Sequence, residues 1–185
     1  MIFNIGIRDK FSCQRTGGEN RNGLIASSIY MSCKNNGVPR SAKEIATIFN
    51  LDNTSATKGC KNVMTIMNEI EHNDDNEEKI ILNKTTPLAF IERYCSKLNI
   101  NQELTKLCKF VAMKIEENNI IPENTPHSIA GGIIYFVSQI CNLNITKTAI
   151  NNISKISEVT INKCYKKLEQ HREILIPKII LDKYN

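Results

Sequence analysis

The sequence has little of what metal, redox or membrane chemistry uses. Its three histidines, His72, His127 and His171, fall in a linker, at a helix start and at a helix end, with no metal-ligand spacing between them. The seven cysteines (Cys13, Cys33, Cys60, Cys95, Cys108, Cys141 and Cys164) include no CxxC pair. Most sit at the spacing of a helical core and read as reduced, structural thiols of a cytosolic or nuclear protein. No apolar run approaches the ~18 residues of a membrane span. Met1 opens MIFNIGIRDKF, too short and too soon charged for a signal peptide. There is no phosphate-binding loop, dinucleotide fingerprint or nucleophile elbow, and Gly17-Gly18 is a turn with no strand before it. Strand signals are absent throughout. The expectation is an all-α protein that is not an enzyme and carries no cofactor, metal or membrane span.

What is present is ordinary globular composition, 41% hydrophobic and 23% charged, in 185 residues, enough for one or two small domains with their own cores. The formal net charge of +5 permits an anionic partner without demanding one. The organising feature is a repeat. Leu24–Cys33, LIASSIYMSC, returns in diverged form as Ala130–Ser138, AGGIIYFVS. Aligning Tyr30 on Tyr135 gives an offset of 105 residues, which also carries Ile45 onto Ile150, Ile48 onto Ile153, Lys58 onto Lys163 and Lys61 onto Lys166. That offset is too long for a solenoid unit and suits a duplicated small domain.

In the first copy, Asn20–Asn35 reads as a helix with Leu24, Ser27, Ser28 and Met31 inward, stopped by Gly37-Val38-Pro39. Ser41 and Glu44 form a capping box opening a short helix whose Ile45, Ile48 and Phe49 face the core. After a turn at Asn50-Leu51-Asp52, Thr54–Ile70 carries Cys60, Val63, Met64, Met67 and Ile70 at steps of three and four. Residues 72–84 are a linker, and its acidic cluster Asp74, Asp75, Glu77 and Glu78 reads as a solvated connection. The second copy opens on Thr86-Pro87, a cap followed by proline in the first helical position. Five helices follow, the first striped by Leu88, Ile91, Cys95 and Leu98. The next is capped by Asn101 and striped by Leu104, Leu107, Cys108, Val111 and Ile115. Thr125-Pro126 opens a helix with Ile129, Ile133, Phe136, Val137 and Ile140 together with Gly131 and Gly132. Thr146–Ile153 and Ser157–Arg172 complete the copy. The first copy has too few residues before Tyr30 for two matching helices, so its start is expected to be incomplete.

In each copy a short helix, a tight turn and a longer helix follow one another, the spacing of a helix-turn-helix. At ~100° per residue, Ile161, Cys164, Tyr165 and Leu168 share one face of the last helix. Lys163, Lys166, Lys167 and Gln170 share the opposite face, and Val159 projects with the lysines. Thr160 and Asn162 flank the helix start. A valine for a thymine methyl, an asparagine for a base edge and lysines for phosphates make a base-reading set. Periodicity alone leaves open a solvated lysine face with a stray surface valine. The first copy exposes Lys58 and Lys61, with Arg40 nearby and no comparable base-reading group. That set suits an acidic protein surface or the DNA backbone, or is itself only solvated.

Taken together, NRNGLIASSIYMSCKNNGVPRSAKEIATIFNL and SEVTINKCYKKL resemble the core of transcription factor IIB, over roughly residues 20–172. The most specific parts are IASSIYMSC, GVPRSAKEI and Val159-Thr160-Ile161, and Thr54–Asn62 is similar to divergent versions in large DNA viruses and some protists. The resemblance implies two tandem cyclin-like helical repeats: an incomplete first repeat at 1–71, the linker 72–84, a second repeat with helix-turn-helix at 85–176 and a tail at 177–185. It implies a general transcription initiation factor that clamps TATA-binding protein on promoter DNA and positions RNA polymerase, in the nucleus or in a viral factory in the host cytoplasm.

Two departures from the family pattern stand out. The family reads the element upstream of the TATA box with a valine and an arginine at the positions of Val159 and Asn162. Asparagine removes the bidentate guanine reader and favours adenine, so the element should be altered or absent. The zinc-ribbon cysteines of the family's N-terminal segment have no counterpart here, implying a fragment or polymerase recruitment by another route. The runner-up is a cyclin-type regulatory partner of a protein kinase, which fold alone does not separate. A freestanding DNA-binding repressor is a third, weaker reading.

Overall fold

The computed structural model describes residues 18–51 and 85–184. Among them are nine helices and no strand, as expected of an all-α chain. The chain divides into two compact units, the first built from Met1–Ser32 and Ala42–Ile81 and the second from Cys33–Ser41 and Leu82–Asn185.

In the first copy, α1 (Gly18–Asn35), which belongs to the first unit up to Ser32, begins two residues before the expected start, so Gly18 lies inside the helix. Ala26, Ser27 and Met31 are buried. Ser27 keeps its hydroxyl satisfied by donating to the Gly23 carbonyl at 2.6 Å. Ser28, expected inside, is exposed, and the side chain of Leu24 lies outside the described residues. The stop falls at Gly37, whose φ of 72° only glycine adopts without strain. Ser41 and Glu44 are both buried at the start of α2 (Ala42–Ile48), where a capping box was expected. The core stripe of α2 differs from the expectation. Ile45 and Ala46 are buried, whereas Ile48 is 68% exposed and Phe49 is half-buried. The inward direction runs between Ile45 and Ala46, and Ile48 lies a further 200° around from Ala46. Asn50 turns the chain at φ 50°. The helix expected at 54–70, with Lys58 and Lys61, and the linker 72–84 lie outside the described residues.

The second unit contains α3 (Leu88–Lys97), α4 (Gln102–Glu117), α5 (Pro126–Ile140), α6 (Lys147–Ser154), α7 (Glu158–Glu169), α8 (Arg172–Leu175) and α9 (Lys178–Tyr184). Each is amphipathic except α5, which packs against α3, α4, α6 and α7 and is buried nearly all round. The predicted stripes hold at Ile91, Cys95, Cys108, Val111 and Ile115, which are buried, while Leu88, Leu98, Leu104 and Leu107 are partly buried at the core's edge. Phe90 and Tyr94 of α3 are also buried, and the sequence reading had left them out.

The caps differ in detail. Asn101 accepts from the Leu104 amide at 2.9 Å, as expected. Thr86 caps nothing through its side chain: Pro87 occupies the N-cap position, already at helical angles, with α3 beginning at Leu88. Thr125 is the N-cap of α5 with proline next, yet its hydroxyl donates to Ser128 Oγ at 2.8 Å and not to a backbone group. Asparagine does much of the stopping, since Asn99, Asn119 and Asn142 all take positive φ, a conformation its short polar side chain tolerates.

Gly132 lets α7 approach α5, and Gly131 makes room for the turn before α7. A Cβ on Gly132 would stand 2.4 Å from Cys164 Cβ, and one on Gly131 would stand 2.9 Å from Ile156 Cδ1. Five described cysteines are free thiols, four buried and Cys33 half-buried. The last long helix ends at Glu169 and not at Arg172. The stretch expected as a tail from residue 177 forms α9, with Ile180, Leu181 and Tyr184 packed against the core. No described helix is long and apolar enough to cross a membrane.

Candidate nucleic-acid interface

The pair α6 and α7 is joined by a tight turn at Lys155, Ile156 and Ser157 that hydrogen bonds hold closed. Lys155 takes the left-handed conformation at φ 60° and donates its amide to the Asn151 carbonyl at 2.8 Å. The Asn151 side-chain amide donates to the Ile156 carbonyl at 2.6 Å. Ser154 Oγ donates to the Ile150 carbonyl at 2.7 Å and accepts from the Ile156 amide at 3.2 Å. Ile156 itself is buried. Across the turn, Thr148 Oγ1 donates to Glu158 Oε1 at 2.8 Å, tying the start of α6 to the start of α7. The two helices are thus tied both at the turn and between their first turns.

The start of α7 is set by Ser157, whose hydroxyl oxygen accepts from the Thr160 amide at 3.2 Å. Ile161, Cys164 and Leu168 are fully buried and fix the rotation of the helix. That rotation sends Val159 outward, 65% exposed. Lys163 and Lys166 are exposed on the same side, and Asn162, Thr160 and Lys167 are half-buried on its flanks. The structure thus brings the six α7 residues of the sequence reading onto one rigid helix. Three of its details alter that reading. The Thr160 hydroxyl lies 2.8 Å from Ser157 Oγ, so its methyl is the freer end. Lys167 is paired with the Glu123 carboxylate from the loop before α5. Tyr165, expected in the core, is half-buried and packs edge-on against Tyr135, ring centroids 5.2 Å apart.

The electrostatics of this surface are mixed. Glu158 is an exposed carboxylate in the first turn of α7, where the helix dipole favours it. Lys167 holds the Glu123 carboxyl below its ordinary value, chiefly through their hydrogen bond. Burial pushes the Cys164 thiol above its ordinary value, leaving it a neutral partner for the Asn124 side-chain amide, which approaches its sulfur at 3.2 Å. Two charged groups here were missed in the sequence. Lys155 carries the turn's positive φ, a place where glycine would have marked the turn and lysine does not. Glu123 reaches α7 from 44 residues away, which no local pattern announces. Arg40 is half-buried on the segment that groups with the second unit, and Lys58 and Lys61 lie outside the described residues. Among the described residues no group of histidine, cysteine or carboxylate side chains is arranged to hold a metal.

Residues 82–171, which contain all of α3 to α7, match the family model described as the transcription factor TFIIB repeat. The chain belongs to the transcription factor IIB family. It is 37% identical over 166 residues to a transcription initiation factor IIB-like protein of Acanthamoeba polyphaga mimivirus, covering 86% of this chain and 34% of that protein. It is 30% identical to the transcription initiation factor IIB of Dictyostelium discoideum, over 88% of this chain and 47% of that one. The Archaeoglobus fulgidus factor of the same name is 26% identical, over 83% and 44%. These spans are longer than everything from residue 82 onward, so they take in the first copy as well. The chain spans roughly a third to a half of the length of these transcription factor IIB relatives.

Proposed function

We propose that the chain acts in transcription initiation as an adaptor without catalytic chemistry, bridging TATA-binding protein and promoter DNA so that RNA polymerase is positioned at the start site. One observation carries the reading: within a TFIIB repeat, a helix-turn-helix presents Val159 and Lys163 in the N-terminal half of its second helix, with Lys166 further along the same face in the last turn. Recognition helices of this class enter the major groove by that end. Val159 meets a thymine methyl, with the Thr160 methyl beside it, and Asn162 reads an adenine edge. Lys163 and Lys166 meet phosphates, which orient the helix without reading sequence, and Lys167 joins them where Glu123 releases it. Arg40, Lys58 and Lys61 contact TATA-binding protein or the DNA backbone. The place of action is wherever such promoters are transcribed, the nucleus or a viral factory. A kinase partner of cyclin type gains nothing from an exposed valine backed by lysines, and membership of the family favours initiation.

The test is a selection from duplexes randomised upstream of a TATA box, with the cognate TATA-binding protein present. The expected result is enrichment of an A·T-containing element that changes when Val159→Ala replaces the wild-type chain. A pool that shows no enrichment outside the TATA box sinks the base-reading assignment.

A further inference from the structure

The loop between α4 and α5 runs beside α7 and touches it twice. Asn124 Nδ2 donates to Cys164 Sγ at 3.2 Å, and the Glu123 carboxylate pairs with the Lys167 ammonium. The loop keeps this course at a local cost. Ile121, a β-branched residue, sits at φ 51°, and the side-chain oxygen of Asn124 is buried with no hydrogen-bond partner. Neither member of the ion pair is itself enclosed, with side-chain exposures of 45% for Lys167 and 57% for Glu123. Solvent and salt screen such a pair, and a denser array of negative charge brought to the same surface competes for the lysine. Helical geometry puts Lys167 about 80° around from Val159 and ~12 Å along the axis, at the flank of the lysine face nearest the loop.

We propose that Glu123 limits the sequence-independent part of DNA binding by holding Lys167 out of phosphate contact. This rests on the nucleic-acid reading of α7 given above. Each lysine that neutralises a phosphate releases counterions whatever the base sequence, so each adds affinity for all DNA alike. A carboxylate that occupies one of three lysines trims that common term, while Val159 and Asn162 keep their base contacts. Glu123 acts through Lys167, so its effect disappears when the lysine is removed.

The experiment measures binding of the full chain to a preformed complex of the cognate TATA-binding protein on a TATA-containing duplex, as a function of salt. Wild type, Glu123→Gln, Lys167→Ala and the double variant are compared, with far-UV circular dichroism recording the helical fold of each. Glu123→Gln should bind more tightly at low salt and steepen the slope of log K against log salt by about 0.9. That is about a threefold greater loss of affinity than wild type between 50 and 200 mM salt. The same rise is expected on a duplex with a scrambled upstream sequence, and none in the Lys167→Ala background. An unchanged slope, weaker binding by Glu123→Gln, or an equal effect with and without Lys167 overturns the proposal while leaving α7 as a DNA-binding helix. Wild type that fails to bind the complex at all removes the reading of α7 and this proposal with it.

Discussion

One added methyl group at residue 132 should do more damage than the same change one residue earlier. The Cβ of Gly132→Ala would lie 2.4 Å from Cys164 Cβ, an atom fixed to the α7 backbone. Carbons meet favourably at about 3.5–4.0 Å, so the two helices must part by ~1 Å or α5 must rotate. Overpacking against an atom that cannot swing aside falls in the upper part of the usual range, about 2–3 kcal/mol, and the better helix propensity of alanine returns ~1 kcal/mol of it. At Gly131 the obstacle is Ile156 Cδ1 at 2.9 Å, the far end of a flexible side chain. A rotamer change relieves it, and the propensity gain offsets what strain is left. We expect Gly132→Ala to be ~1–2 kcal/mol less stable than wild type, a fall of about 2–8 °C in Tm for a chain of this length. Gly131→Ala should lie within ~0.5 kcal/mol of wild type, a typical spread for a tolerated change. Urea titration followed by circular dichroism measures both, with an unchanged m-value as the check on a two-state reading. Gly132→Ala as stable as wild type would mean that α5 and α7 do not approach this closely, and the placement of α7 would have to be abandoned.

The remaining expectations concern the face that this packing supports. Lys163→Ala and Lys166→Ala should each weaken binding on all duplexes and flatten the salt slope by about 0.9, whereas Val159→Ala should alter sequence preference more than affinity. If all three behave alike in parallel titrations, the division between base and phosphate contacts is wrong. Ser157→Ala removes the side-chain acceptor of the Thr160 amide and should cost ~1 kcal/mol in a urea melt. No change would mean that water caps the helix equally well. Burial raises the Cys141 and Cys164 thiols, and the Cys95 hydrogen bond together with burial raises Cys108 further. Iodoacetamide at about pH 8 should therefore leave these three unmodified in the native chain and label them in urea, as mass spectrometry of the digested peptides would report. Modification of Cys164 in native protein would show that α7 opens from the core.

Much of the second unit was legible because its signals are local. Steps of three and four marked the buried side of α4 and α7, and Asn101 announced its cap by residue type and position, while Thr146 and Ser157, read only as helix starts, prove to be caps as well. The close approach at the paired glycines of α5 appears only with the partner in place. What stayed hidden depends on the rest of the fold. Ile48 fits the periodicity of a core position yet lies exposed, because α2 is turned by Ile45 and Ala46. Phe90 and Tyr94 widen the buried face of α3 beyond a stripe, and their burial follows from the elements around them. The short α8 and α9 carry too few residues for a period to show, and packing of Leu175, Ile180 and Leu181 on the core defines them. At the interface, the rotation of α7 was readable from Ile161, Cys164 and Leu168, and with it the exposure of Val159. The pairing of Lys167 with Glu123 was not, since it joins helix and loop across a turn of the tertiary fold.

The most direct test of the account is a mobility-shift titration on a TATA-containing duplex, with and without the cognate TATA-binding protein. The account predicts a ternary complex that forms only when both proteins are present and that Lys163→Ala weakens. A chain that shifts the duplex equally well alone, or that leaves the TATA-binding protein complex unmoved, would contradict it.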